Sequence, residues 1–421
     1  MPTFTCRGPV TEGSAPRWMH TNRISPLASY ASPEQLQVYG TGTVDIYFRV
    51  PPDLHFGAQE TVPLQLKYRY RGVSSGHKGN ITVKLNATFV ASIALPPEGQ
   101  NETDVISRTL PVNVLALSRF GNTLSFDFSF GNENQTASLA SAGNLYGAIL
   151  KDSSLDLRGV PDLAEMPNLN LFAEAGFPFT SYPDLSHTAV VLPHEPSAEQ
   201  ITLALAMLAS LGARTGSSAI RVEVVDWEHV HEVSDRDLLV IGTGGDQPLF
   251  RSWPLPLQIG TDGFQLAEVR SPLDRVKLWL HRGYGAGRQQ LTDLFGATNP
   301  PESGVLEIES PEQRGRTAVL LASINPNDAE TLSSLVMPSA ASSSVTGNIC
   351  LLVGDEFHCG YWNYRTYFIG QQGIYGWTNF WLVRYYLLVP ALVFLLALVL
   401  GGWLNGWLQR RAIWRLQEHP S

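Results

Sequence analysis

The sequence predicts a multidomain β plus α/β protein: a jelly-roll β-sandwich, then a flavodoxin-like α/β domain, then a single C-terminal transmembrane helix. Three observations predict it. Short alternating apolar–polar runs parted by turn residues fill roughly Leu36 to Leu157. Unbroken apolar runs then alternate with a helical period. Finally, YYLLVPALVFLLALVLGGWL, Tyr385 to Leu404, carries no charged residue. The expected divisions are a leader over 1–35, the sandwich over 36–158, a Pro-rich connector over 159–186 and the α/β domain over 187–360. An aromatic interfacial segment over 361–384, the membrane helix over 385–408 and a cytoplasmic tail over 409–421 complete the chain.

Length and charge bound the function. The 421 residues suffice for two ordinary domains, and a net charge of −9 disfavours nucleic acid, which needs a basic face. With three cysteines a stapled framework is excluded; Cys350 and Cys359 form either one bridge or two free thiols. The N-terminus has no apolar run and so no secretory signal; either export is unusual or the chain is a piece of a longer precursor, and the second is expected.

In the sandwich, the expected strands are Thr43–Val50, Val62–Tyr70, Ile81–Asn86, Phe89–Leu95 and Asn122–Phe130, with LYGAILKDSSLDL as the last. GVSSG, Gly72 to Gly76, matches G-x-S-x-G, but it falls between two strands and not at a strand-to-helix turn, so it is no nucleophile elbow. The sequons at Asn80, Asn86, Asn101 and Asn134 read as polar turn residues of a bacterial protein.

The connector, with Pro161, Pro167, Pro178 and Pro183, reads as an extended segment docked by Phe172, Phe177 and Phe179. Beyond it, SAEQITLALAMLASLGA is a helix with Ser197 as N-cap, Gln200 closing a capping box and Gly212 as its stop; Ile201, Leu205, Leu208 and Gly212 mark one face. AIRVEVVD, DLLVIG, GVLEIES, RTAVLLASI and GNICLLVG are strands, the last one final. VKLWL is a candidate helix, and NPNDAETLSSLVM a helix capped by Asn327. The pattern predicts a parallel sheet covered on both faces. GTGGDQPLF and GYGAGR lack the spacing of a phosphate loop, so no cofactor is expected. DEFHCG holds ligand-type residues without metal-ligand spacing, and His229 and His231 have no nucleophile beside them, so neither a metal nor a catalytic residue is expected.

The apolar run has the length a helix needs to cross ~30 Å of hydrocarbon. Arg410, Arg411 and Arg415 follow it and only Arg384 precedes it, which puts the C-terminus in the cytoplasm. Before it lies YWNYRTYFIGQQGIYGWTNFW. Trp and Tyr gather where lipid meets water, so Tyr375, Trp377, Phe380, Trp381 and Arg384 are expected at the membrane interface. An extended piece to about Ile369 and a Gly-rich bend should precede an interfacial helix.

With VPPDLHF, LKYRYRG, VKLNATFVASIAL, GFPFTSYPDLSHTAVVLP and LASLGARTG, this order of parts resembles the second half of the periplasmic B subunit of bacterial cellulose synthase, the BcsB family. The resemblance covers about Leu36 to Leu416. It implies a non-catalytic subunit in the bacterial inner membrane, single-pass, with a periplasmic bulk and a cytoplasmic C-terminus. Its implied partners are the catalytic subunit of a UDP-glucose-dependent β-1,4-glucan synthase and the nascent cellulose, supported through the membrane helix and guided outward. The glucan-contacting residues are unknown from the sequence. Cyclic di-GMP is expected on the catalytic partner: RAIWR, Arg411 to Arg415, fits only half of the R-x-x-x-R signature with its following motif. A stand-alone, membrane-anchored surface protein for carbohydrate binding or adhesion is the alternative.

Overall fold

The computed structural model describes residues 18–19, 21, 23–54, 60–73, 78–97, 105–119, 121–131, 145–158, 160, 162–243, 246–255, 257–259, 264–266, 291–295, 301–323, 328–334, 345–354, 356–362, 366–371, 378 and 388–417. GYGAGR, VKLWL, Asn327 and the five expected interfacial residues lie outside them. The chain divides into two compact units, Met1–Gly370 and Gln371–Ser421.

The first part of unit one is a two-sheet β-sandwich. One sheet runs in the order β3 (Gly42–Arg49), β8 (Gly121–Ser129), β5 (Gly79–Leu85), β6 (Thr88–Leu95), all antiparallel. The other joins β1 (Ser25–Pro26), β10 (Ser154–Leu155), β4 (Thr61–Arg71), β9 (Tyr146–Ile149) and β2 (Gln37–Tyr39), with β7 (Ile106–Asn113) on β4. Strict alternation builds the core: Val44, Ile46 and Phe48 meet Ile81, Val83, Leu124, Phe126 and Phe128, all buried. Asn86 and Ala87 both take positive φ at the β5–β6 turn, and the Asn86 side chain donates to Ala116 O at 2.8 Å. The polar-turn reading of this sequon therefore fits its geometry. The folded part begins earlier than residue 36, because Met19, Leu27 and Tyr30 are in this core.

The connector is not extended. It forms β11 (Asp162–Met166) and the short helix α1 (Leu169–Ala175), capped by Asn168, whose Oδ1 accepts from Leu171 N at 3.1 Å. Phe172, Phe177 and Phe179 are enclosed, as docking points should be, and Phe172 packs edge-on to Phe179. The prolines had hidden a helix one cap long enough to hold.

The second sheet of seven strands runs β13 (Glu223–Asp226), β12 (Thr188–Leu192), β14 (Asp237–Gly242), β18 (Thr317–Ser323), β17 (Ser303–Glu309), β19 (Ile349–Val353), β20 (Glu356–Gly360). Its first four strands are parallel and the rest antiparallel. The sheet is thus mixed and not wholly parallel as expected, because β17 and β18 form an antiparallel hairpin. DEFHCG is not a loop but contributes the edge strand β20. Around the sheet lie α2 (Ala198–Thr215), α3 (Leu249–Ser252), the hairpin of β15 (Leu257–Ile259) and β16 (Phe264–Leu266), and α4 (Ala329–Ser334). β21 (Tyr367–Gln371) pairs with β11.

Helix α2 has the expected capping box between Ser197 and Gln200, but it stops at Gly216, not Gly212. Its buried face is also different: Leu203, Ala204, Met207 and Leu211 face the sheet, while Ile201 and Leu205 are 40% and 62% exposed. Leu203 and Met207 share the i, i+4 stripe with Leu211, and it is this stripe, not the neighbouring one through Ile201 and Leu205, that meets the sheet.

Cys350 and Cys359 face each other across β19 and β20 and are bridged. Cα–Cα is 4.0 Å and the loop they close spans nine residues in sequence. Loop closure of that length contributes about 2–3 kcal/mol. The Cys350→Ala/Cys359→Ala variant should therefore lose about that much in urea denaturation, and reductant should no longer affect it.

Half of the aromatic segment belongs to the domain. Trp362 is buried in one core beneath the sheet, and Tyr367 is buried against β11 and α1. The second unit contains α5 (Leu388–Gln417). The expected membrane span is corrected here: among the described residues no helix is long and apolar enough to cross a membrane. The exposed apolar side chains on α5 include Val393, Phe394, Trp403 and Leu404. Asn405, Gln409, Arg410 and Arg411 then interrupt them, with the Arg411 guanidinium 4.2 Å from the Trp407 ring centroid. The expected single pass through an inner membrane, with periplasmic bulk and cytoplasmic C-terminus, is overturned with it.

Candidate functional site

The same alternation that fills the sandwich core places its polar half on the opposite side of the sheet β3–β8–β5–β6. Cross-strand register aligns these residues into rows. Thr43 pairs with Asp127, Asp127 with Thr82, and Thr82 with Ser92. The next row is Asp45, Ser125 and Lys84, followed by Tyr47 beside Thr123. Three interstrand spacings make the face about 14 Å wide, more than one sugar ring.

The rows are wired together. Thr43 Oγ1 donates to Asp127 Oδ1 at 2.7 Å, and Lys84 Nζ lies 2.8 Å from Asp127 Oδ2. Ser125 Oγ donates to Asp45 Oδ1 at 2.5 Å. Asn80 Nδ2 donates to Thr82 Oγ1 and Ser92 Oγ at 3.1 and 3.3 Å. The Lys84 hydrogen bond, then that of Thr43, hold the Asp127 carboxyl below the usual carboxylate range. The group is therefore an ionised acceptor at neutral pH.

Aromatic rings flank the polar rows. Arg49 places its guanidinium 5.1 Å from the Tyr47 ring centroid. A Cβ at Gly121 would sit 2.7 Å from the Tyr47 hydroxyl, so the bare glycine lets this ring lie across β8. Phe89 on β6 is exposed. Hydroxyl, carboxylate, amide and ammonium groups between apolar rings can accept from and donate to a polyhydroxylated ligand while a ring covers its C–H face. The sequence reading left these residues unassigned. Their signal was the outward half of each alternating strand, which composition alone does not separate from an ordinary solvated face.

Elsewhere, the crevice at the carboxyl ends of β12 and β14 is the position where open α/β sheets bind ligands. Here Asp246 follows β14. Its Oδ1 accepts from Thr243 N and its Oδ2 from Gln200 Nε2, both at 2.6 Å. The carboxylate thus ties the end of β14 to a side chain in the first turn of α2. His229 and His231 sit on a 3-10 turn, His229 Nδ1 at 2.5 Å from Asp226 Oδ1 and His231 paired with Glu312. One set of metal-ligand side chains converges among the described residues, His194, Asp226 and Glu228. The DEFHCG residues are not part of it.

A buried polar cluster lies at the other end of the parallel strands. Glu307 is fully buried; its Oε2 accepts from Asn168 N at 2.7 Å, and its Oε1 has no partner among the described residues. Burial pushes Glu307 up to about 8 and Asp237, despite Thr317 N and Arg316, up to about 6. Burial also raises Tyr367, whose hydroxyl lies 2.7 Å from Thr317 Oγ1. This cluster fastens β11, α1 and β21 to the sheet, which is structural work.

The comparisons divide the chain at the same place. Residues 25–154 match the family model "Cellulose synthase BcsB, second CBM domain", and residues 162–321 match "Cellulose synthase BcsB, second FD domain". A "Cyclic di-GMP-binding protein" of Pseudomonas fluorescens (strain SBW25) is 31% identical over 380 residues, covering 83% of this chain and 50% of the relative. A protein of the same name from Xanthomonas axonopodis pv. citri (strain 306) is 28% identical, covering 96% and 54%. "Cellulose synthase 1" of Komagataeibacter xylinus is 26% identical, covering 86% and 25%. The chain spans about half the length of the first two.

Proposed function

The chain belongs to the cellulose synthase BcsB family, and from that premise we propose that it serves as a non-catalytic accessory subunit of a bacterial cellulose synthase. Its sandwich contacts the nascent β-1,4-glucan on the outer face of β3–β8–β5–β6. The observation that carries this reading is the polar grid of Thr43, Asp45, Lys84, Ser125 and Asp127 between Tyr47 and Phe89, within the part matched by the CBM model. The partner is the catalytic glycosyltransferase subunit. The exposed apolar side chains of α5, such as Phe394 and Trp403, offer that subunit a surface. Cyclic di-GMP, which the relatives' printed names carry, is assigned to the catalytic partner, in keeping with the half-signature at Arg411 to Arg415.

Reconstitution tests the assignment. The catalytic subunit with UDP-glucose should make glucan at full rate only when this chain is added, and this chain alone should make none. Full synthesis by the catalytic subunit without the chain would refute the accessory role.

A further inference from the structure

The carboxyl edge of the parallel sheet carries a second, separate constellation. β12 and β13 run side by side, and Leu192 is paired with Asp226 at their ends. Two residues further along each chain come His194 and Glu228. The parallel register therefore brings three donors from two loops to one point. Their nitrogen and carboxylate oxygens lie within 4.8 Å of one another.

The spacing within this set is compatible with a shared ion. His194 Nδ1 stands 3.4 Å from Asp226 Oδ2. A charge-assisted hydrogen bond is shorter, about 2.7–2.9 Å. The separation also matches the edge of a tetrahedron around an ion with bonds of about 2.0–2.1 Å, roughly 3.3–3.4 Å. The Asp226 carboxylate is fixed before any ion arrives. Its side chain is 6% exposed, and its other oxygen, Oδ1, accepts from His229 N at 3.2 Å and meets His229 Nδ1 at 2.5 Å. A ligating carboxylate held by an outer partner is the usual construction of a metal site. His194 is 63% exposed at its side chain and Glu228 is exposed, so the remaining position opens to solvent.

We propose that His194, Asp226 and Glu228 bind one divalent transition-metal ion of the zinc class, with His229 positioning Asp226 and one coordination site left open. One imidazole and two carboxylates suit that class. The ion ties the β12–α2 loop to the turn after β13 and presents a Lewis-acidic position at the sheet's carboxyl edge.

The test titrates the metal-stripped full chain with Co²⁺, followed by visible absorption, and then with Zn²⁺ in calorimetry. One equivalent should bind with the d–d spectrum of tetrahedral cobalt, and Zn²⁺ should displace it. His194→Ala removes a mostly exposed side chain, so the fold stands. Its affinity should fall by at least the roughly 10–100-fold that loss of an outer partner alone costs. Glu228→Gln should behave alike. The absence of a saturable equivalent, or binding that His194→Ala and Glu228→Gln leave unchanged, would overturn the site.

Discussion

Gly347→Ala should cost about 3–5 kcal/mol and lower the melting temperature of the domain by about 10 °C or more. Gly347 has φ +84°, where a side chain is strained. A Cβ there would also lie 2.0 Å from Gly360 O and 2.2 Å from Gly360 C, backbone atoms of β20 that cannot rotate aside. The same residue's carbonyl accepts from Leu169 N at 2.9 Å, so displacing it also loosens α1. Gly315→Ala is the control. It has a similar φ of +78° but nothing within 4 Å of its Cβ, and should cost only the backbone strain of about 1–2 kcal/mol. Circular dichroism melts of both variants measure the difference. Equal losses would show that the approach of β20 is not what fixes Gly347.

Stability should fall as pH rises from about 5 to 8.5. Glu307 and Asp237 both have folded-state values above their ordinary ones, about 8 and about 6. Their folded forms hold protons that the unfolded chain releases, so stability is full below the unfolded values and is lost as pH climbs through the folded ones. Asp237 acts over about pH 4 to 6 and Glu307 over about 4.5 to 8, together on the order of several kcal/mol. Glu307→Gln keeps an acceptor for Asn168 N but leaves a buried amide donor to satisfy, at about 1–3 kcal/mol. It should thus melt below the natural protein at pH 5 and above it at pH 8.5. Parallel pH profiles for the two proteins would exclude Glu307 as the titrating group.

The sandwich was legible because one face of each strand is buried and the other wet, so Val44, Ile46 and Phe48 alternate cleanly with Thr43, Asp45 and Tyr47. The family was legible from phrases along the same strands and from the order of the parts. Less was visible where tertiary contacts override local pattern. Pro167 and Pro178 suggested an extended connector, yet Asn168 starts a helix between them whose apolar face fills a core. In α2 two neighbouring stripes are apolar, and only the sheet decides that Met207, not Leu205, turns inward. The aromatic segment divides for the same reason, Trp362 and Tyr367 being taken up by the domain. The candidate glycan face was not legible, since polar residues spaced by two look alike whether they bind sugar or water. Neither was the His194–Asp226–Glu228 set, whose members are far apart in sequence and meet only through the pairing of β12 with β13.

The central claim is that the polar face of β3–β8–β5–β6 binds β-1,4-glucan. Isothermal titration of a cello-oligosaccharide into the natural chain and into Lys84→Ala/Asp127→Ala tests it most directly. Both residues are partly exposed on the outer face, so the core is untouched. Each lost hydrogen bond to a charged group is worth about 1.5–3 kcal/mol, so binding should be saturable for the natural chain and weaker by about tenfold or more in the variant. No binding by the natural chain, or equal affinity in the variant, would contradict the account.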